Sequence, residues 1–308
     1  MEKRKRNHII SGVLPILTAS VLWAVGYFIR KSILYAISPL LLAFFSAFLT
    51  CCALWLFYGL NLKLVYNIFS SNPFQYIFLG LTGVVFGSTL MFLSLDYIDL
   101  GIATVLEKLQ PVFTVILAWY FLNETLTLRQ IFYALTMLIG SFFVVLEEPF
   151  TVVIGNSNII GISAVIGAAF FWAISSIIGK NLLIKKIDPH IVTFMRFAIG
   201  SIILSPFFIF HRQLHLQLKL NAVIICLIII SSLITTTFGY IIYYKGLRYV
   251  TASVAGVLEL ITPLAGIFLG IIFLGEDLNL IQAIAIAVMF FSVYNISKRR
   301  RKRKNKKL

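Results

Sequence analysis

Ten runs of about twenty apolar residues, set apart by short polar breaks, dominate this chain of 308 residues and leave it few folds to adopt. They fall near 9–29, 39–59, 74–94, 100–121, 128–146, 159–179, 189–210, 221–243, 252–274 and 279–297. In hydrocarbon each backbone N–H and C=O must find a partner within its own segment, so runs of this length predict transmembrane helices. The breaks carry turn or charge signals, among them NETLT, KKIDP and GEDLN. Composition agrees, since 60% hydrophobic residues, 12% charged residues and a mean hydropathy of +0.98 lie far from a soluble domain. The expected class is an all-α membrane protein of ten transmembrane helices.

The net charge of +15 is concentrated at the tails, where Lys3–Arg6 and Lys298–Lys307 hold 13 of the 26 Lys and Arg residues. Solvated tails on anionic headgroups account for such runs more simply than nucleic acid does, so lipid is the expected partner there. An even number of spans puts both termini on one face. With the tails inside, 20 basic residues lie inside, 4 outside and 2 within spans, which makes the termini cytoplasmic and the chain a multi-pass protein of the cytoplasmic membrane. No A-x-A-like site follows the first run, which therefore reads as a retained helix.

Catalytic chemistry has little to stand on. GxSxG, HExxH and Walker-type loops are absent, so neither an enzyme nor ATP coupling nor a cofactor is expected. His8, His190, His211 and His215 lack metal-ligand spacing, and Cys51, Cys52 and Cys226 read as packing residues.

The chain repeats itself. Residues 101–128, GIATVLEKLQPVFTVILAWYFLNETLTL, align without gaps on 253–280, SVAGVLELITPLAGIFLGIIFLGEDLNL, with 11 identities. Glu107, Pro111 and Glu124 meet Glu259, Pro263 and Glu276 at one offset of 152. LWAVGYFIRK at 22–31 likewise meets FWAISSIIGK at 171–180, setting Trp23 over Trp172. The unit is five spans, and an odd number makes the copies cross in opposite senses. Loop charges follow the inversion: Asp96 and Asp99, outside, correspond to Lys245 and Arg248, inside. Arg30 and Lys31 fall outside in this threading, against the bias. The expected organisation is a first repeat over 1–150 with its basic tail, a second over 151–297 and a basic cytoplasmic tail over 298–308.

Two five-helix repeats, a WA near the start of each, a Pro-containing fourth helix and the FLNETLT and FLGEDLN endings closely resemble EamA-like members of the drug/metabolite transporter superfamily, over nearly the whole chain. The resemblance implies inverted repeats around a central cavity, alternating access and a small organic solute as cargo. It departs from a frequent pattern of the family, an arginine near the start of the second helix of each repeat. Arg196 supplies it in the second copy, while the first has Ser46.

Glu107 and Glu259 are the leading site candidates. Each lies some seven residues into its helix, on the order of 10 Å deep, where a charge is tolerated facing a cavity or a partner. Pro111 and Pro263 break the two helices, since a proline removes the donor to the carbonyl at i−4, here that of the glutamate itself. A freed carbonyl beside a carboxylate suits a proton, a cation or an amine. An internal ion pair of Glu107 with Arg196 or Lys108 is the alternative, and Lys108 can also snorkel to water. Arg196 offers a planar fork to a substrate carboxylate or phosphate, or pairs with a glutamate.

Trp23, Trp172, Tyr240 and Tyr27 provide aromatic walls, with Gln110 and Ser176 as hydrogen-bonding groups. Tyr243 and Tyr244, near a span end, are expected in the headgroup belt. Glu124 and Glu276 are expected to cap or turn. The function expected is secondary active transport of an amino acid, amine, nucleoside or drug-like solute, with proton coupling or exchange, the alternative being a flippase for a lipid or lipid-linked sugar. No metal site is expected, and substrate, direction and oligomeric state stay open.

Overall fold

The computed structural model describes residues 9–34, 36–98, 103, 106–145, 159–210, 221–262, 264–265, 268 and 280–297. Among these the regular structure is helical. α1 (Leu14–Ile33) is entered through a π-turn at Ile9–Val13. It is followed by α2 (Pro39–Tyr58), the short α3 (Leu62–Ser71), α4 (Pro73–Ser94), α5 (Gln110–Leu122) and α6 (Leu128–Val145). The second half contains α7 (Ile159–Ile184), α8 (Pro189–Phe210), α9 (Ala222–Leu247), α10 (Ala252–Glu259) and α11 (Leu280–Ser297).

Five of these are long and apolar enough to cross a membrane: α2, α4, α7, α8 through Phe207, and α9. Shorter apolar segments lie in α1, α5, α6 and α11. The protein is an all-α membrane protein; among the described residues, α3 aside, its ten helices form two inverted five-helix repeats.

Local sequence sets the boundaries. Ser38 accepts from the Leu41 amide and Pro39 opens α2; Asn221 accepts from the Ile224 amide ahead of α9, and Thr251 from Val254 ahead of α10. Asn123, in the left-handed region with φ of 52°, ends α5. α3 is a surface helix capped by Asn61, with Leu62, Leu64 and Tyr66 exposed and Val65 buried.

The main helix contacts between the repeats are kept when the repeats are exchanged. α7 packs on α4 and α5, and α1 on α9 and α10; α8 meets α4 as α2 meets α9. α2 with α8, α5 with α10 and α6 with α11 are pairs that map onto themselves, as helices beside a pseudo-two-fold axis must. The α6–α11 pair is tied by Arg129 Nη2 donating to Asn295 Oδ1 at 2.8 Å and by Thr136 and Ser292 hydroxyls 2.8 Å apart.

Two apolar clusters sit at opposite ends of these helices. Ile16, Leu79, Leu183, Met195 and Tyr244 belong to one; Ile33, Leu42, Met91, Val165 and Leu204 belong to the other. Along α1, α7 and α9 the residues between them are the polar and aromatic ones described next.

Candidate functional site

Two of the long helices are interrupted by π-turns. Leu81–Phe86 interrupts α4 and Ser232–Gly239 interrupts α9, at equivalent places in the two repeats. A π-turn leaves carbonyls without their usual helical donor, and side chains from the other repeat take two of them. Trp23 Nε1 donates to the Thr235 carbonyl at 3.2 Å, and Trp172 Nε1 to the Gly83 carbonyl at 3.1 Å. Gly83 and Thr235 are themselves 152 residues apart, the offset of the repeat. A glycine admits each indole: a Cβ on Gly87 would lie 2.4 Å from Trp172, and one on Gly239 would lie 2.9 Å from Trp23 Nε1.

The fourth helix of each repeat is interrupted close to its glutamate. In the first repeat Lys108 and Leu109 form a turn before α5 starts at Gln110; in the second, α10 ends at Glu259 with a turn at Leu260 and Ile261. Pro111 lines the resulting cavity, whereas Pro263 lies outside the described residues. The Glu259 carbonyl accepts from the Thr262 hydroxyl at 2.7 Å, so this oxygen is already engaged.

A cavity of about 60 Å³ lies between the repeats. Glu107, Glu259, Arg196, Trp23, Trp172, Tyr240, Gln110 and Ser176, named from the sequence, all line it. Glu107 Oε1 accepts from the Tyr27 hydroxyl at 3.0 Å, and its Oε2 is 3.4 Å from Lys108 Nζ. Lys108, 5% exposed, is therefore paired inside and does not snorkel to water. Glu259 Oε2 accepts from Gln110 Nε2 at 3.0 Å across the repeat boundary, while Oε1 makes no hydrogen bond among the described residues. The neighbouring Tyr243 hydroxyl donates to Ser176 Oγ at 3.4 Å.

Arg196, 1% exposed, forms no ion pair with a glutamate among the described residues. Its Nη1 donates to the Tyr244 hydroxyl at 3.0 Å, its Nη2 to the Gly83 carbonyl at 3.1 Å and the Tyr240 hydroxyl at 3.2 Å, and its guanidinium sits 4.3 Å from the Tyr240 ring centre. Tyr243 and Tyr244 are buried, 2% and 0% exposed, which corrects their expected place in the headgroup belt: α9 runs on to Leu247. Trp23 packs at 5.2 Å from both Tyr240 and Tyr243.

Sequence reasoning misses Arg30. The apolar run ends at 29 and puts it in an outer loop, yet α1 continues to Ile33 and turns Arg30 into the cavity. Its Nη2 donates to Thr235 Oγ1 at 2.6 Å and its guanidinium lies 5.4 Å from the Phe92 ring centre. Thr235, Thr236 and Ser88 also line the cavity, and nothing distinguishes them in the sequence from ordinary small polar residues in a helix.

Glu124 does cap a helix, but one in the other repeat. Its carboxylate accepts from the Ala252 and Ser253 amides at 2.9 and 3.0 Å and from the Ser253 hydroxyl at 3.0 Å, at the start of α10. Beside it, Lys180 Nζ donates to the Leu247 and Val250 carbonyls at 2.8 and 2.6 Å, closing the end of α9. Glu276 lies outside the described residues. Among the described residues no group of His, Cys, Asp and Glu could hold a metal ion.

Known proteins resemble this chain over most of its length. An uncharacterized transporter of Archaeoglobus fulgidus is 32% identical over 223 residues, 72% of this chain and 76% of its own length. The riboflavin transporter ImpX of Fusobacterium nucleatum is 25% identical over 95% of this chain and 99% of its own, and the uncharacterized transporter YoaV of Bacillus subtilis 23% identical over 95% and 100%. A solved crystal structure matches with a TM-score of 0.73 at 16% identity, covering 92% of this chain and 95% of that one, which bears on the fold alone. The model of the EamA-like transporter family matches residues 10–146 and 159–298, one match for each half, and the chain belongs to that family.

Proposed function

We propose that the protein is a secondary active transporter that moves a small organic metabolite across the cytoplasmic membrane by alternating access through the cavity between its repeats. The observation that carries this reading is the convergence of repeat-related residues, Glu107 with Glu259 and Trp23 with Trp172, on one chamber. Its volume of about 60 Å³ holds only a few waters, and an apolar cluster flanks it at either end. A metabolite therefore enters only when one set of helix ends parts, and the pseudo-two-fold relation gives both faces equivalent ways of doing so.

The aromatic walls suit a flat ring, and the name of the Fusobacterium relative is consistent with such a cargo. Glu259 is the coupling group in this reading: its buried carboxyl has one oxygen bonded to Gln110 and the other unengaged, so it gains or loses a proton as solute enters. Both termini face the cytoplasm, their basic tails on anionic headgroups.

Reconstituted protein should accumulate a labelled solute from a panel of riboflavin, amino acids, nucleosides and amines, with counterflow when liposomes are preloaded with it. Movement of labelled lipid between leaflets with no soluble solute transported would replace this reading with a flippase.

A further inference from the structure

We infer that the cavity takes an organic oxyanion, a carboxylate or phosphate carried on a flat ring, with Arg30 and Arg196 as its counter-charges. The inference rests on the reading of this cavity as the substrate site and names the class of solute.

The charges around the cavity do not balance. Arg30, Lys108 and Arg196 face Glu107 and Glu259, and within this set the one close ion pair is Lys108 with Glu107 at 3.4 Å. Among the described residues both arginines meet neutral groups only: Arg30 the Thr235 hydroxyl, Arg196 two tyrosine hydroxyls and the Gly83 carbonyl. The Nε–H of each is buried without a partner. A guanidinium stays charged, and a buried cation without a counter-ion is costly to hold; with Lys108 paired to Glu107, Glu259 alone faces two arginines, and the chamber carries one positive charge in excess until an anion arrives. A carboxylate or phosphate has oxygens enough to accept from both guanidinium groups, and such charge-assisted bonds exceed those to neutral acceptors.

The two arginines also stand apart from the duplicated framework. Position 179, equivalent to Arg30, is glycine, and Ser46 stands where the first repeat aligns with Arg196. The tryptophans and glutamates recur in both repeats and belong to the shared machinery; the arginines occur once each, where solute selection breaks the symmetry. Aromatic faces lie against both cations, Phe92 against Arg30 and Tyr240 against Arg196, so a ring attached to the anion finds apolar contact beside its charge.

A purely structural arginine, holding the π-turn carbonyl of Gly83, would affect stability and show no preference for anions. Binding is therefore measured by thermal unfolding of the purified full chain in lipid-free detergent at constant ionic strength. The probes are benzoate, naphthoate and phenyl phosphate, with benzamide, naphthamide and phenol as neutral matches. At least one anion is expected to bind about tenfold or more tightly than its neutral match. Arg30→Gln and Arg196→Gln should each bring binding of the anion down to that of its neutral match in the same variant, and Arg30→Lys and Arg196→Lys, which keep the charge if a Gln variant fails to fold, should retain part of the preference.

Equal binding of anion and neutral match, a preference that survives in both Gln variants, or stabilisation by no oxyanion at all would overturn the assignment. Stabilisation by phosphatidylglycerol and not phosphatidylcholine, lost in the same variants, would support it with a lipid headgroup as the oxyanion's source. Because binding is read without a membrane gradient, anion preference with no uptake in liposomes would sink the transport reading and leave this one standing, while uptake without charge preference would do the reverse.

Discussion

Trp23 and Trp172 do the same thing from opposite repeats: each indole N–H reaches across to the carbonyl of a π-turn in the other half, at 3.2 and 3.1 Å. The pair locks the repeats together at the level of the cavity. Replacing Gly87 with alanine would drive a methyl group against Trp172, with the Thr82 carbonyl also at 2.8 Å. Overpacking of this kind costs about 1–3 kcal/mol, so Gly87→Ala should lower the unfolding midpoint in detergent. Gly239→Ala, whose nearest contact is 2.9 Å, should do so by less.

Glu124 bonds the start of α10 through two amides and a hydroxyl. Glu124→Ala removes a charged cap from a helix of the other repeat, a loss of about 1–2 kcal/mol. Unfolding followed by denaturant or heat should show it. Glu124→Gln, which keeps one acceptor oxygen, should fall between Ala and the parent.

Glu259→Gln keeps the shape of the side chain and removes its proton exchange. If Glu259 couples transport to protons, uptake by this variant should lose its dependence on an imposed pH gradient while solute counterflow persists. Unchanged pH dependence in proteoliposomes would assign coupling elsewhere.

Asp188, in the linker ahead of α8, supplies a test outside the membrane. Burial pushes its carboxyl up, but the His190 amide and ring, with the charges of His190 and Arg248, outweigh that and hold it below the usual carboxylate range. A depressed value in the folded state adds stability above the unfolded value of about 3.9 and loses it as pH falls through the folded one. Asp188→Asn should therefore be less stable than the parent at neutral pH and equal to it in strong acid. The group is half exposed, so the difference should be small.

The helical class, the repeat and the paired residues of the cavity are legible in the sequence because each leaves a periodic or duplicated mark: apolar runs, Glu107 and Pro111 matched by Glu259 and Pro263, Trp23 by Trp172. Arg30, Tyr243 and Tyr244 are misplaced by it for one physical reason. An apolar run marks where lipid contact ends, while the helix carries polar residues further, into protein: α1 goes on to Ile33 and α9 to Leu247. The π-turns leave no mark at all, since LTGVVF and SLITTTFG read as ordinary helix, and with them the acceptor roles of Gly83 and Thr235 stay hidden. Glu124 reads as a cap but not as one for α10, because sequence proximity cannot reveal a partner 128 residues away.

In alternating access one chamber opens to each face in turn, which labelling of a single cysteine can follow. Cys51, Cys52 and Cys226 are free and can be replaced, and Ser176→Cys then places one thiol on the chamber wall. In vesicles of known sidedness, a membrane-impermeant thiol reagent should reach that cysteine from the inside and, separately, from the outside, and bound solute should slow both reactions. Reaction from one face alone, or from neither under conditions that support uptake, would contradict the account.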